Sequence, residues 1–498
     1  MMYTSTRDHA VKATAAQAIT QGISNEGGLF VPEQLPQFGK DELTALVSQT
    51  YVERAVTVLS RFLSDFSEAE VRECAEAAYG SGRFLAPQVA PVHSLKDGVH
   101  VLELWHGPTC AFKDMALQIL PHLMRVSASK TSDGKEIVIL VATSGDTGKA
   151  ALEGFRDAAH TRILVFYPEN GVSPMQKLQM TTQEGGNVGV CAIRGNFDDA
   201  QSGVKAIFTD PTMRGVLAEQ GMMFSSANSI NWGRLVPQIV YYFSAYCDLV
   251  ANGTITMGDK VNVAVPTGNF GNILAAYYAR EMGLPIARLI CASNCNNVLS
   301  DFIRTGTYDR QRAFHTTASP SMDILISSNL ERLLYHLSDG DAALVADLMQ
   351  QLKETGRYTI PAALLEKLHA LFAGGWCDDD ETMKAIRKTY EEQGYLCDTH
   401  TAVAVSVCEQ YRRETGDATP IILASTADPY KFSASVLRAL GEDRADDDEF
   451  DKVDRLNALT GAPVPPSLAA LKGRQPRFTQ VCDRDTMEQT VRAMLDVK

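Results

Sequence analysis

A chain of 498 residues, 45% apolar and 21% charged, exceeds what one hydrophobic core covers; it predicts a folded protein of two to four domains and excludes extensive disorder. Its 46 basic and 60 acidic side chains leave a formal charge of −14, which argues against nonspecific attraction to nucleic acid or to an anionic membrane. An anionic substrate would have to be held by local donors working against that field.

In chain order, residues 10 to about 76 are mainly helical in pattern, interrupted at Asn25-Glu26-Gly27-Gly28-Leu29-Phe30-Val31-Pro32, where paired glycines and a proline enforce a turn. The first 17 residues lack the apolar core of a secretory signal and the ten cysteines include no CxxC pair, so reduced thiols and a cytoplasmic location are expected. Cys291 and Cys295 have no second Cys/His pair at ligand spacing, so no metal is expected. The longest apolar runs, such as residues 137–142, have strand length, and no membrane span is expected.

Glycines and prolines across residues 79–91 mark a linker and close an N-terminal, mainly helical region at 1–91. Beyond it, β-rich runs at 99–104, 136–142, 162–167, 188–193 and 261–265 alternate with helical ones, which predicts α/β layers on mainly parallel sheets. Helical periodicity replaces strands at about 339–394, which reads as a helical insertion, and a strand returns at 420–424. The acidic run 442–451 reads as a solvated surface. The division expected is a smaller α/β domain at 92–225, a larger one at 226–440 that includes the insertion, and a C-terminal extension at 441–498.

Four polar segments carry the chemistry. Lys113, in His106-Gly107-Pro108-Thr109-Cys110-Ala111-Phe112-Lys113-Asp114, follows a strand through a Gly-Pro turn and adjoins Phe112. That setting desolvates an amine, as a Schiff-base lysine requires; alone, it would read as a surface charge. Thr143-Ser144-Gly145-Asp146-Thr147-Gly148-Lys149 lies between a strand and a helix. It fails the phosphate-loop pattern at Thr143 and Ala150, and suits either carboxylate binding or plain helix capping.

Ser225-Ser226-Ala227-Asn228-Ser229-Ile230-Asn231-Trp232-Gly233-Arg234 offers neutral donors and one guanidinium, which suits a phosphoryl group or a capped helix start with an exposed Arg. Thr267-Gly268-Asn269-Phe270-Gly271-Asn272, between a strand and a helix, aims backbone N–H groups at one point, as a phosphate requires, or is an ordinary turn.

Together these segments, with Gln17-Ala18-Ile19-Thr20-Gln21-Gly22 and the stretch 425–432, resemble the pyridoxal-phosphate enzymes of fold type II, and within them the bacterial and fungal threonine synthase family. The resemblance implies two α/β domains built on parallel sheets, an N-terminal region and a helical insertion. It implies that Lys113 bonds covalently to pyridoxal 5'-phosphate, that Gly268, Asn269, Phe270, Gly271 and Asn272 bind the cofactor phosphate, and that Thr426 meets the pyridine nitrogen. It places Ser144, Gly145, Asp146 and Thr147 at the substrate carboxylate or cofactor, with Asp146 where many fold relatives carry Asn. It puts Asn228, Ser229, Asn231 and Arg234 at the substrate phosphate.

The reaction implied converts O-phospho-L-homoserine and water to L-threonine and phosphate, with a phospholyase giving a 2-oxoacid, ammonia and phosphate as the alternative. The small-molecule substrate is the only partner expected, in a monomer or homodimer.

Overall fold

Two sheets with parallel cores carry the chain. The computed structural model describes residues 1–80, 82–131, 134–143 and 145–497. Among these, the larger sheet orders six strands as Phe372–Trp376, Ile286–Ser293, Val261–Pro266, Ile421–Ser425, Val99–Glu103 and Val92–Ser94. Its neighbours run parallel except the last pair. The second sheet orders five strands, all parallel, as Val481–Asp483, Val188–Arg194, Thr161–Pro168, Glu136–Ala142 and Met222–Ser225. Parallel strands must be joined by crossovers whose helices cover both faces, so the central strands bury both. The run Ile137-Val138-Ile139-Leu140-Val141 is accordingly buried throughout.

Sheet membership does not follow the division expected at residues 92, 226 and 441. Val99–Glu103 pairs with Ile421–Ser425, and Val481–Asp483 pairs with Val188–Arg194. A division in chain order is blind to pairing between segments hundreds of residues apart. Residues 339–394 contain the helices Ala342–Thr355, Ala362–Leu371 and Asp379–Gln393, but also the strands Arg357–Thr359 and Phe372–Trp376. The second of these, Phe-Ala-Gly-Gly-Trp, has little strand propensity; parallel pairing with Ile286–Ser293 holds it extended. Likewise Phe30–Pro32, within the expected turn, pairs antiparallel with Tyr3–Ser5.

The helix Trp232–Ala251 runs through the core, and Trp232, Tyr241, Tyr242, Phe243 and Tyr246 on it are fully buried. At about 1.5–3 kcal/mol for each large apolar side chain, this helix is a main source of cohesion. Its start is set by Asn231, whose side-chain oxygen accepts from the Gly233 N–H at 2.8 Å. No described helix is long and apolar enough to cross a membrane.

Candidate active site

Each of the four polar segments follows the carboxyl end of a parallel strand. Val99–Glu103 leads to Lys113, Val261–Pro266 to the 267–272 loop, and Ile421–Ser425 to Thr426; these strands are neighbours in the larger sheet, with Ile421–Ser425 between the other two. Glu136–Ala142 leads to the 143–147 loop and Met222–Ser225 to the 226–234 segment; these are neighbours in the smaller sheet. Ligand sites of parallel sheets form at this end, where loops and helix N-termini present free backbone groups.

The lysine loop is stitched at both sides. Ala111 bridges Ala427, and the Phe112 N–H donates to the Thr426 carbonyl at 2.8 Å. Asp114, fully buried, accepts from the Thr109 N–H at 2.8 Å and the Thr109 hydroxyl at 2.7 Å. Gly107 permits this: a Cβ there would lie 2.5 Å from the Asp114 carboxylate. Cys110 takes a left-handed φ of 58°, a conformation a non-glycine residue holds only under tertiary constraint. The Lys113 amine ends beside the Phe112 ring, 5.0 Å from its centroid. Burial brings its pKa down to about 8, with Lys431 and Arg234 adding to the fall and Asp146 opposing it.

Asp146 sits in the first turn of the helix Asp146–Phe155 and is buried. Its Oδ1 accepts from the Lys431 ammonium at 2.6 Å and from the Gln176 amide at 3.0 Å, while its Oδ2 lies 4.0 Å from the Lys113 nitrogen. Burial pushes this carboxyl up, but the charges of Lys431 and Lys113 outweigh it and hold it well below the usual range. Gly145 has φ +143°, and a Cβ there would lie 2.5 Å from the Gln176 amide, so only glycine fits. Thr147 is half-buried beside them, and Ser144 lies outside the described residues.

In the 267–272 loop the backbone N–H groups of Gly268, Asn269, Phe270, Gly271 and Asn272 find no acceptor among the described residues. Phe270 holds φ 64° and opens the helix Gly271–Glu281. A Cβ on Gly268 would lie 2.7 Å from the Ser321 carbonyl, so this glycine lets the loop pack on its neighbour; at Gly271 no protein atom comes nearer than 3.6 Å. Asn272 accepts from the Tyr241 and Tyr242 hydroxyls, while its buried Nδ2 has no partner among the described residues.

The 226–234 segment divides by what its side chains already do. Asn231 is spent: its oxygen caps the helix and its Nδ2 donates to the Ile19 and Ser226 carbonyls at 2.9 and 2.7 Å. It therefore builds the loop and has no free amide atom for a ligand. Ser229 lies 3.3 Å from Ser328, hydroxyl to hydroxyl, and the half-buried Asn228 amide has no side-chain partner among the described residues. Arg234 is buried, donates from Nη1 to the Ala227 carbonyl at 2.7 Å, and keeps an Nε without a partner among the described residues. No carboxylate among them pairs with it, and burial brings it down to about 10.

Sequence reasoning missed Lys431, Gln176 and Asn329. Asn329 donates to the Ser229 and Asn269 carbonyls, each at 3.1 Å, and so joins the 226–234 segment to the 267–272 loop. Lys431 stands five residues beyond Thr426 in the 425–432 stretch, but nothing local distinguishes it from a surface lysine. The residues present fit the phosphate-bearing carbonyl cofactor implied above. They offer a partly discharged amine at Lys113, five unanswered backbone N–H groups, the orphaned Asn272 Nδ2 and the hydroxyl of the buried residue Thr426.

The chain is similar to known proteins along most of its length. Residues 2–79 match the family described as "Threonine synthase N terminus", residues 85–426 "Pyridoxal-phosphate dependent enzyme", and residues 401–492 "Threonine synthase, C-terminal". The chain is 45% identical to human "Threonine synthase-like 1" over 85% of its own length, but spans only 58% of that protein. It is 40% identical to the threonine synthase of Pseudomonas aeruginosa, over 88% of this chain and 90% of that one. The crystal structure of pyridoxal-phosphate-bound threonine synthase from Brucella melitensis is 38% identical and superposes with a TM-score of 0.87 over 99% of both chains. Yeast threonine synthase is 31% identical, with a TM-score of 0.88 over 99% of both.

Proposed function

The chain belongs to the threonine synthase family of pyridoxal-phosphate-dependent enzymes, and on that premise we propose that it converts O-phospho-L-homoserine and water to L-threonine and phosphate. The observation that carries the substrate reading is Arg234, a buried guanidinium near Lys113 with an unbonded Nε and no carboxylate partner among the described residues. A buried cation in that condition costs free energy until an anion answers it, and a substrate phosphate is such an anion.

Pyridoxal phosphate, when bound, supplies a carbonyl for an amine and a ring that draws negative charge from the substrate carbons. The chain's own residues do the rest. The backbone N–H groups of Gly268, Asn269, Phe270, Gly271 and Asn272 hold the cofactor phosphate, with Asn272 Nδ2 completing the cradle. Thr426 offers the ring nitrogen a hydroxyl; it cannot protonate the ring as a carboxylic acid would, so charge stays nearer the reacting carbons.

Lys113 is the amine that would bond the cofactor, and the same amine is placed to carry protons at the substrate Cα and Cβ. A pKa near 8 suits both duties at neutral pH. Arg234, Asn228 and Ser229 hold the leaving phosphate and so fix Cγ for its departure. Gly145, Asp146 and Thr147 face the substrate carboxylate or cofactor. The ten cysteines are all unpaired, which accords with a cytoplasmic setting.

The test is incubation of the purified, cofactor-loaded protein with O-phospho-L-homoserine and identification of the organic product. L-threonine with an equivalent of phosphate is expected. A 2-oxoacid with ammonia would overturn the synthase reading in favour of a lyase, and turnover of unphosphorylated homoserine would overturn the role given to Arg234.

A further inference from the structure

Two lysines flank one buried carboxylate at the centre of this site. Asp146 is held by Lys431 at 2.6 Å and by the Gln176 amide at 3.0 Å, whereas Lys113 stands off at 4.0 Å. The Lys431 side chain is fully buried, and its ammonium also donates to the Thr109 carbonyl at 3.0 Å. Thr109 in turn donates twice to Asp114, the residue after Lys113. Lys431 therefore ties the 143–147 loop to the lysine loop while filling the contact that Asp146 would otherwise offer Lys113.

We propose that Lys431 is a positioning residue, the standing counter-ion of Asp146, and that its presence leaves the Lys113 amine unpaired and available as nucleophile and proton carrier. The inference rests on the reading of Lys113 as the cofactor-bearing lysine. A buried carboxylate must be answered by a cation. Were Lys113 the only one at hand, the 4.0 Å gap would close into an ion pair and the amine would stay an ammonium. The charged groups facing Lys113 are Asp146 from the helix Asp146–Phe155, Lys431 from the turn Pro429–Phe432, Arg234 from the helix Trp232–Ala251, and Asp114 beside it in the chain. Among them only Lys431 both cancels the attraction of Asp146 and adds repulsion of its own.

The test reads the amine without turnover. The full-length chain, freed of cofactor and checked for fold by circular dichroism, is labelled competitively with acetic anhydride across about pH 6–10, and Lys113 is followed by peptide mass spectrometry. The wild-type midpoint is expected near 8. In Lys431→Met it should rise by about one to three pH units, the effect of an opposite charge left unshared. Asp146→Asn should lower it, and Lys431→Met/Asp146→Asn should return it toward wild type.

An unchanged midpoint in Lys431→Met overturns the proposal, as does a rise that persists in the double variant, because the effect would then not run through Asp146. Should Lys431→Met fail to fold, Lys431→Gln, which keeps a polar end but removes the charge, takes its place with the same expected rise and the same two overturning results. A wild-type protein that fails to make threonine would sink the proposed function and leave these midpoints where they are.

Discussion

Arg332 and Arg234 are both buried guanidinium groups in the first turn of a helix, where the helix dipole disfavours a cation, and burial brings both down to about 10. Their surroundings differ. Arg332 donates from Nε to the Phe30 carbonyl at 2.9 Å, from Nη2 to the Ile230 carbonyl at 2.6 Å, and from Nη1 to the Asn329 side chain. Arg234 bonds the Ala227 carbonyl and leaves Nε unanswered. A buried cation whose nitrogens each meet an acceptor of the chain holds loops together; one with a buried nitrogen unanswered has a donor to offer an anion from outside. On the function proposed above, the contrast separates structural from ligand-facing charge.

That comparison can be broken by substitution. Arg332→Ala should have the largest effect, lowering unfolding free energy by about 3 kcal/mol or more, because three acceptors lose a donor at about 1–3 kcal/mol each. Denaturant midpoints check it, and an unshifted midpoint would remove Arg332 from the framework. Arg234→Ala should instead keep the fold and the cofactor spectrum but cost about 2–4 kcal/mol in kcat/KM for O-phospho-L-homoserine, as for other preorganised charged donors. Arg234→Lys should recover only part, since an ammonium lacks the planar fork. Equal kcat/KM in all three proteins would leave the substrate phosphate without its proposed anchor.

Carboxylates sharpen the same contrast. Asp146 is answered by Lys431 and held low, whereas burial pushes Asp428, which accepts from the Tyr430 N–H and lies near Asp398, up to about 7. A folded pKa above the unfolded value near 3.9 means that the fold prefers the protonated form. This stability is complete below about pH 4 and is lost as pH rises through 7. Asp428→Asn should flatten that slope and raise stability at pH 8 by on the order of 1–3 kcal/mol. Urea midpoints at pH 5 and pH 8 measure it, and a slope identical to wild type would reassign the titration.

The smallest effects are expected from two asparagines three residues apart. Asn231→Ala should cost about 1–2 kcal/mol of stability through the lost cap. Asn228→Ala should leave stability within about 0.5 kcal/mol and raise KM for the phosphorylated substrate. Reversed roles would show that the free amide at Asn228 is incidental.

Much of the site was legible because its chemistry is local in sequence. A strand, a small-residue loop and a helix start suffice to leave N–H groups unanswered at 268–272, and a Gly-Pro turn beside Phe112 suffices to flag Lys113. Asn231 was misassigned from the same kind of pattern: its residue type suits a phosphate and a helix cap equally, and only the positions of the Ile19 and Ser226 carbonyls show that its amide is used up.

What the sequence determined by itself is therefore the alternation of strands and helices, the loops that follow them, and the residue types each loop carries, all set by propensity and spacing over a few residues. Tertiary structure decided which strands became neighbours, so that Val99–Glu103 lies against Ile421–Ser425 and a glycine-rich segment without strand propensity became the edge strand Phe372–Trp376. It also decided that Lys431 meets Asp146. Ion pairing depends on distance in space and on the water excluded there, and neither is written into the spacing between two residues far apart along the chain.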